Sequence, residues 1–293
     1  MPVTEPATGC DRIRDRLRAV LLAVAMLWTS AAFAQPVSHP ELADPLPGAE
    51  NRIYADLVRL VAPGVGGGNA GASGSGVIDI RHIDGADMTG FEPVSVASPR
   101  IAAIPVRSGG LDRLALLLDL GESRHDVSDF VVLALFEVAD QPRLLDAATV
   151  AFDRYTFFPE PARLPIGTGD DLLVTRSTHF NSSQGYATTA LILLREDRLE
   201  LVDAISTFDD RACAFERTQR LEILQGAGAP FADIEATVIE LTAGSGERCG
   251  DAAAPEPGTR SIAVTYRWDA AEERYIADSD AFGVLARENE ERF

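Results

Sequence analysis

Two polar stretches of the chain hold most of the side chains that could bind a ligand or perform chemistry. In the first, GESRHDVSD (121–129), the candidate residues are Arg124, His125, Asp126 and Asp129. In the second, STHFNSSQGY (177–186), they are His179, Asn181, Ser182, Gln184 and Tyr186. Histidine exchanges protons near neutral pH, carboxylates attract cations, and amides and hydroxyls form hydrogen bonds with polar ligands. We predict that these residues form one binding site if the fold brings the two stretches together.

The same residues also have a purely structural interpretation. Asn, Ser, Asp and Gly favour turns, in which their side chains satisfy neighbouring backbone groups. A metal site needs three or four converging ligands, and two histidines far apart in sequence do not establish one. We therefore expect no metal and no other cofactor, with calcium at paired acids such as Asp170-Asp171 as the alternative.

No catalytic motif stands out in the sequence. The glycine-rich segment 64–76 lacks both the Gly-x-Ser-x-Gly elbow of serine hydrolases and the lysine of phosphate-binding loops. Carboxylates at catalytic separation arise by chance in a chain this rich in acids. We therefore assign no catalytic residue and favour a non-catalytic protein over an enzyme. The alternative is a hydrolase that acts on an envelope polymer through carboxylates and His125 or His179.

The elements that would position these loops read as β-strands. From Val77 onward, short runs of β-branched residues and leucine are separated by turn residues. Every second residue from Ile262 to Trp268 is apolar, which gives one buried and one solvated face. Similar runs predict strands near 77–83, 93–98, 113–119, 130–138, 143–151, 171–178, 186–194, 198–206 and 234–242.

Three segments share one design, in which a long apolar strand, a polar turn and a return strand end in Asp-Ala or Asp-Ser. They are VVLALFEVADQPRLLDA (131–147), ALILLREDRLELVDA (190–204) and IAVTYRWDAAEERYIADS (262–279). Each reads as a hairpin with a further strand upstream. We therefore divide a β domain, 77–293, into units of about 113–169, 170–226 and 231–293. Since hairpins in any antiparallel protein resemble one another, similarity without duplication is the alternative.

These units predict a mainly β fold of repeated antiparallel three-stranded units, either propeller-like or a large sandwich or barrel. Corresponding loops, including 121–129 and 177–186, would then emerge at one edge of the fold. Apolar residues at helical spacing predict a short helix over 50–62, which Pro63 ends. A second apolar face around Phe282 and Leu285 predicts a C-terminal helix.

The first 34 residues are typical of a secretory signal peptide. Four arginines precede an apolar run from Ala19 to Trp28, and small residues follow as far as Ala34. This run is much shorter than the roughly 20 residues that a membrane span needs. We expect Sec-type export with cleavage after Ala34, which gives a periplasmic or secreted protein without a membrane span. Its flexible N-terminal segment, 35–76, would contain the first helix and a Gly-rich linker over 64–76.

Composition narrows the choice of partners. Of the 293 residues, removal of the first 34 leaves 259, which is enough to bury a sizeable core. The formal charge of −19 disfavours nucleic acid and anionic lipid as partners. Cys213 and Cys249 remain after cleavage, and in an oxidising compartment we predict a disulfide between them. The closed loop would stabilise the fold by roughly 4 kcal/mol.

Together these patterns predict a non-catalytic binding or scaffolding protein of the bacterial periplasm or envelope. Its polar loop edge would contact a protein or a glycan. The bacterial origin is itself inferred from the style of the leader.

Overall fold

Two sheets of mainly antiparallel strands make up most of the fold, with a short helix towards each end of the chain. A computed structural model describes residues 36–65, 76–86, 93, 99–123, 128–244 and 255–292. The predicted signal peptide and most of the predicted Gly-rich linker fall outside these ranges. So do Arg124, His125, Asp126 and Cys249, whose roles stay predictions.

The helices of the described residues are α1 (Tyr54–Val61) and α2 (Ala281–Glu290). The strands of the first sheet are β1 (Arg81–His82), β2 (Arg100–Ser108), β3 (Leu111–Glu122), β4 (Asp129–Glu137) and β5 (Arg143–Thr149). The strands of the second sheet are β6 (Arg163–Pro165), β7 (Asp171–Phe180), β8 (Gln184–Arg195), β9 (Arg198–Arg211), β10 (Phe215–Gln225), β11 (Ile234–Gly244), β12 (Gly258–Asp269) and β13 (Arg274–Ala277).

The pairing order is β1-β5-β4-β3-β2 in the five-stranded sheet and β13 through to β6, in unbroken sequence order, in the eight-stranded sheet. Among the described strands, only the two-residue pairing of β1 with β5 is parallel. The outermost strands of each sheet do not pair with each other. The prediction of a mainly β fold with short helices towards the two ends is therefore confirmed, in the form of two antiparallel sheets.

The apolar run of β4 is explained by burial of both of its faces. Phe130, Val132 and Phe136 pack in a cluster with α1, whereas Leu133 and Leu135 pack in a second cluster with residues of the eight-stranded sheet. A strand covered on both sides carries few polar residues, since either face would have to desolvate them. The five-stranded sheet thus lies between α1 and the larger sheet.

A third core cluster fills the eight-stranded sheet itself. It brings Leu172 of β7 together with Ile234 of β11, Tyr266 of β12 and Leu285 of α2. This packing is possible because β9 and β10 pair only next to their turn, where Arg211 faces Glu216 and Asp210 faces Arg217. Beyond that point the two strands separate, and one face of β7–β9 packs against one face of β10–β13.

The meanders β3–β5, β7–β9 and β11–β13 contain the three similar hairpin sequences, and the predicted unit 170–226 contains β10 as a fourth strand. In the first two, Leu135 pairs with Asp146 and Leu191 with Asp203, and the register shifts at the next pair. Each aspartate also accepts a hydrogen bond from the backbone N–H of the alanine that follows it, at 2.9 and 2.7 Å. The sequences LLDA and LVDA therefore form the same local structure, while their common origin stays a prediction.

Candidate functional site

The predicted loop residues of the second stretch form the β7–β8 hairpin. Asn181 closes its turn, because its Oδ1 accepts hydrogen bonds from the backbone N–H groups of Ser183 and Gln184, at 3.2 and 2.9 Å. Its Nδ2 donates to Gln184 Oε1 at 3.0 Å. Ser182 is exposed at the tip. The amides therefore fix the hairpin, as the structural interpretation of the sequence expects.

His179 and Tyr186 face each other across this hairpin, and their rings stack with centroids 4.5 Å apart. His179 Nδ1 contacts the carboxylate of Asp153, which lies in the connector between β5 and β6. The hydroxyl of Tyr186 donates to Gln184 Oε1 at 2.8 Å. Burial raises the pKa of Tyr186 above its ordinary value, so the phenol stays a hydrogen-bond donor at neutral pH.

The same connector also reaches Asp129, at the start of β4. Asp129 Oδ2 accepts a hydrogen bond from the backbone N–H of Tyr155 at 3.1 Å, and Arg154 O accepts one from Thr178 N at 2.8 Å. Asp129 and His179 thus contact neighbouring residues of one segment. Arg124, His125 and Asp126 lie outside the described residues. That they share one edge of the fold with Asp129 and His179 therefore stays a prediction.

At the tip of the hairpin lies an open cavity of about 200 Å³. It is lined by residues at the tips of the β7–β8 and β9–β10 hairpins, which are joined by a hydrogen bond from Arg211 N to Ser183 O at 2.8 Å. Asn181, Ser182 and Gln184 from the predicted site line it. Its other lining residues are Phe180, Ser183, Gly185, Asp209, Asp210, Arg211, Glu216, Arg217 and Thr218.

Phe180 is the most prominent side chain of this cavity, with 70% of its surface exposed. Its ring lies directly over Gly185, where a Cβ atom would come within 2.8 Å of Phe180 Cε1. A glycine at this position therefore lets the ring rest on the neighbouring strand. The result is a fixed, solvent-exposed aromatic face.

Charged groups on the far side of the cavity are mostly held in place. Arg211 pairs with Glu216, and Asp209 Oδ1 accepts a hydrogen bond from the backbone N–H of Gln219 at 2.7 Å. Arg217 lies over the ring of Phe215, 5.4 Å from its centroid. The cavity thus offers an aromatic face, amides and charges of both signs, which suits a polar ligand without a large net charge.

Two side chains of types that could take part in catalysis, Ser177 and His82, are buried and bonded to neighbouring residues. The nearest hydroxyl on the His179 face of β7 is Ser177 Oγ, which is buried and accepts from Phe152 N at 3.1 Å while bonding to Thr156 Oγ1 at 2.8 Å. His82 is also buried, with Nδ1 2.6 Å from Asp84 Oδ1. Within the described ranges, no group of three or more His, Cys, Asp or Glu side chains is arranged to hold a metal ion.

Cys213 lies in the turn that joins β9 to β10. Its predicted partner, Cys249, is outside the described residues, so the disulfide stays a prediction.

Sequence reasoning identified the β7–β8 hairpin but missed the other side of the cavity. Of the missed residues, Phe180 could have been predicted from the sequence, because it is a large aromatic residue inside an otherwise polar loop. Glu216 and Arg217 could not be found, because they reach the cavity only through the pairing of β9 with β10.

Comparisons with protein-family models, with curated proteins and with solved structures found no match for this chain. In the part of the chain that the structure describes, no helix is long and apolar enough to cross a bilayer. The function is therefore inferred from the geometry of the site.

Proposed function

We propose that this chain is an exported, non-catalytic binding protein of the bacterial periplasm or envelope, and that its ligand is a glycan. The observation that carries the proposal is the exposed ring of Phe180, held over Gly185 beside the amides of Asn181 and Gln184. Export is supported by the leader, which is typical of a signal peptide.

The chemistry of the cavity matches that of a sugar. A pyranose ring has apolar C–H faces and polar hydroxyls around its rim, so it needs both an aromatic surface and hydrogen-bonding groups. Phe180 supplies the surface, while the side chains of Asn181, Gln184, Asp209 and Asp210 supply the donors and acceptors. Because Asn181 is already fixed by hydrogen bonds, binding would cost little side-chain entropy.

A binding role also agrees with the hydrogen bonds of the side chains that could otherwise catalyse a reaction. His179, Ser177 and Gln184 form hydrogen bonds with neighbouring residues of the fold. Ser177 is in addition buried, so its hydroxyl is poorly placed to act as a nucleophile.

A second candidate function is hydrolysis of an envelope polymer. The observation that favours it is the contact between His179 and Asp153, since a carboxylate on Nδ1 orients a histidine for proton transfer. Release of new reducing ends from a glycan by the wild-type protein, but not by His179→Gln, would replace the binding proposal with this one.

The test uses the protein expressed with its own leader, titrated calorimetrically with soluble peptidoglycan fragments and a panel of neutral oligosaccharides. Wild type should bind at least one of these glycans, and Phe180→Ala should weaken binding about tenfold. Gly185→Ala should weaken it too, because a Cβ there displaces the ring.

The matched control is Leu111→Ala at the start of β3, where 55% of the leucine surface is exposed but the residue does not line the cavity. Binding should be unchanged in this variant. The proposal is wrong if wild type binds none of the glycans, or if a folded Phe180→Ala protein binds as tightly as wild type.

A further inference from the structure

Within the described ranges, β9 pairs with β10 only at Glu216 and Arg217, and no other strand pairs with the rest of β10 on the side away from β11. Two hydrogen bonds show to which side the backbone groups of this strand point. Gln219 N donates to Asp209 Oδ1, away from β11, whereas Gly226 N, just after the strand, donates to Asp233 O on the β11 side. In an antiparallel pair, successive residues direct their backbone groups to opposite sides. The backbone groups of Leu221 and Ile223 therefore point away from β11, where β9 has already separated.

A cleft of about 230 Å³ lies along this edge. Val174, Arg176 and Thr189 form its far side, on β7 and β8. The rest of its lining comes from the connector before β6 and from five successive residues of β10: Pro159, Glu160, Pro161, Arg220, Leu221, Glu222, Ile223 and Leu224. An extended segment placed here would lie beside a strand that has free donors and acceptors.

Arg176 is an unusual cation in this acidic protein. Its Nε is buried without a hydrogen-bond partner, and among the described residues no carboxylate lies within ion-pair distance of its guanidinium. By contrast, the half-buried or buried guanidiniums of Arg113 and Arg163 pair with Asp197 and Asp171. A buried donor without an acceptor is unfavourable, and a carboxylate would satisfy this one in a charge-assisted hydrogen bond.

The remaining lining of the cleft is largely apolar. Pro159, Pro161 and Leu221 contribute hydrocarbon surface, and Leu224 at the rim has 61% of its surface exposed. The cleft therefore combines an open strand edge, a guanidinium without a partner and an apolar wall. A free carboxyl-terminal peptide with an apolar last side chain offers the complementary set of groups.

We propose that this cleft binds the carboxyl terminus of a partner polypeptide as an added strand on β10. The backbone groups of Leu221 and Ile223 pair with the peptide, Arg176 binds its terminal carboxylate, and the prolines contact its last side chain. Glu160 and Glu222 at the opening disfavour acidic residues further along the peptide. This site is separate from the cavity beside Phe180 and does not depend on the glycan proposal.

The experiment uses the isotope-labelled full chain and an N-acetylated hexapeptide library with apolar carboxyl-terminal residues, prepared as free acids and as carboxamides. The free acids should shift the amide resonances of Leu221 and Ile223 and slow their hydrogen exchange. The carboxamides should bind at least tenfold more weakly, because they cannot pair with Arg176.

Arg176→Met keeps the length of the side chain but removes its charge, and it should abolish the preference for the free acids. The matched control, Arg198→Met on β9, replaces an exposed arginine outside the cleft and should leave the preference intact. Phe180→Ala should also bind the free acids normally, which separates this proposal from the glycan site.

Three results would overturn the proposal. The first is that neither library shifts the two amides of the wild-type protein. The second is equal affinity for free acids and carboxamides, or an unchanged preference in folded Arg176→Met. The third is that acetate at the same concentration produces the same shifts, which would identify an anion site without peptide recognition.

Discussion

Arg113 of β3 donates two hydrogen bonds to Asp197, in the turn between β8 and β9, and so ties the five-stranded sheet to the eight-stranded sheet. The Nε–Oδ1 and Nη2–Oδ2 distances are 2.8 and 2.9 Å. Only 6% of the Arg113 side chain is exposed. Hydrogen bonds from this guanidinium hold the pKa of the Asp197 carboxyl below its ordinary value.

Asp197→Asn should lower the free energy of unfolding by about 2 kcal/mol at neutral pH, because it leaves a buried guanidinium without its counter-charge. Asparagine tolerates the left-handed backbone of this residue, at φ 60°, so the turn itself is kept. Urea unfolding measures the change. The control is Glu272→Gln, which breaks an exposed pair with Arg274 and should cost less than about 1 kcal/mol.

The effect of Asp197→Asn should depend on pH. Since the pKa of Asp197 is lower in the folded than in the unfolded chain, its stabilisation is fully present above about pH 4 and is lost as the pH falls through the folded-state value. The difference between wild type and variant should therefore shrink in acid. A difference that stayed constant down to acid pH would show that the charge of Asp197 contributes nothing.

Gln219→Leu should be among the most destabilising single changes in the sheet, at about 3 kcal/mol. The Gln219 side chain is buried, accepts from Phe208 N at 2.9 Å, and donates to Glu240 Oε2 and Asn289 Oδ1 at 2.7 and 2.8 Å. The matched control is Gln225→Leu, at the exposed end of the same strand, which should change stability little. Similar unfolding midpoints for the two variants would contradict the stabilising role of the buried Gln219 side chain.

Tyr266→Phe should destabilise the fold more than Tyr275→Phe, although both changes remove one hydroxyl from the same core cluster. Tyr266 donates to the carboxylate of Asp203, whereas Tyr275 donates to the backbone carbonyl of Ala232. Bonds to a charged group contribute about 2 kcal/mol and neutral ones about 1. Thermal unfolding of the two variants compares them directly, and the reverse order would refute the explanation.

The mature protein should contain no reactive thiol until it is reduced, because we expect Cys213 and Cys249 to be bonded. Reduction should lower the free energy of unfolding by roughly 4 kcal/mol. The double variant Cys213→Ser, Cys249→Ser should match the reduced wild-type protein. Titration of two free thiols in the unreduced native protein would exclude the bond.

The spacing of apolar residues predicted much of this fold, because it reflects directly which side chains are buried. In β12, Val264 and Tyr266 are buried, as their spacing of two predicts. The first helix, expected over 50–62, is shorter and begins at Tyr54, because Ile53 pairs with Pro45 in a bridge and cannot join it. Its end before Pro63 is as predicted.

The features that the sequence patterns did not predict depend on contacts between residues far apart in the chain. No strand was predicted for β10, since FERTQRLEILQ alternates too irregularly, and its conformation depends on its pairing with β11. The site shows the same limit. The loop at His179 could be read from sequence, but its partner Asp153 lies 26 residues away and comes into contact only through the connector between the two sheets.

The order of the strands in the eight-stranded sheet affects how the chain can fold while it is being synthesised. From β7 to β13, every strand lies beside the one that precedes it in the polypeptide. A chain that leaves a ribosome or a translocation pore amino end first can thus pair each of these strands with its predecessor on arrival. Among the described strands, β1 is the one that must wait, until β5 has been synthesised.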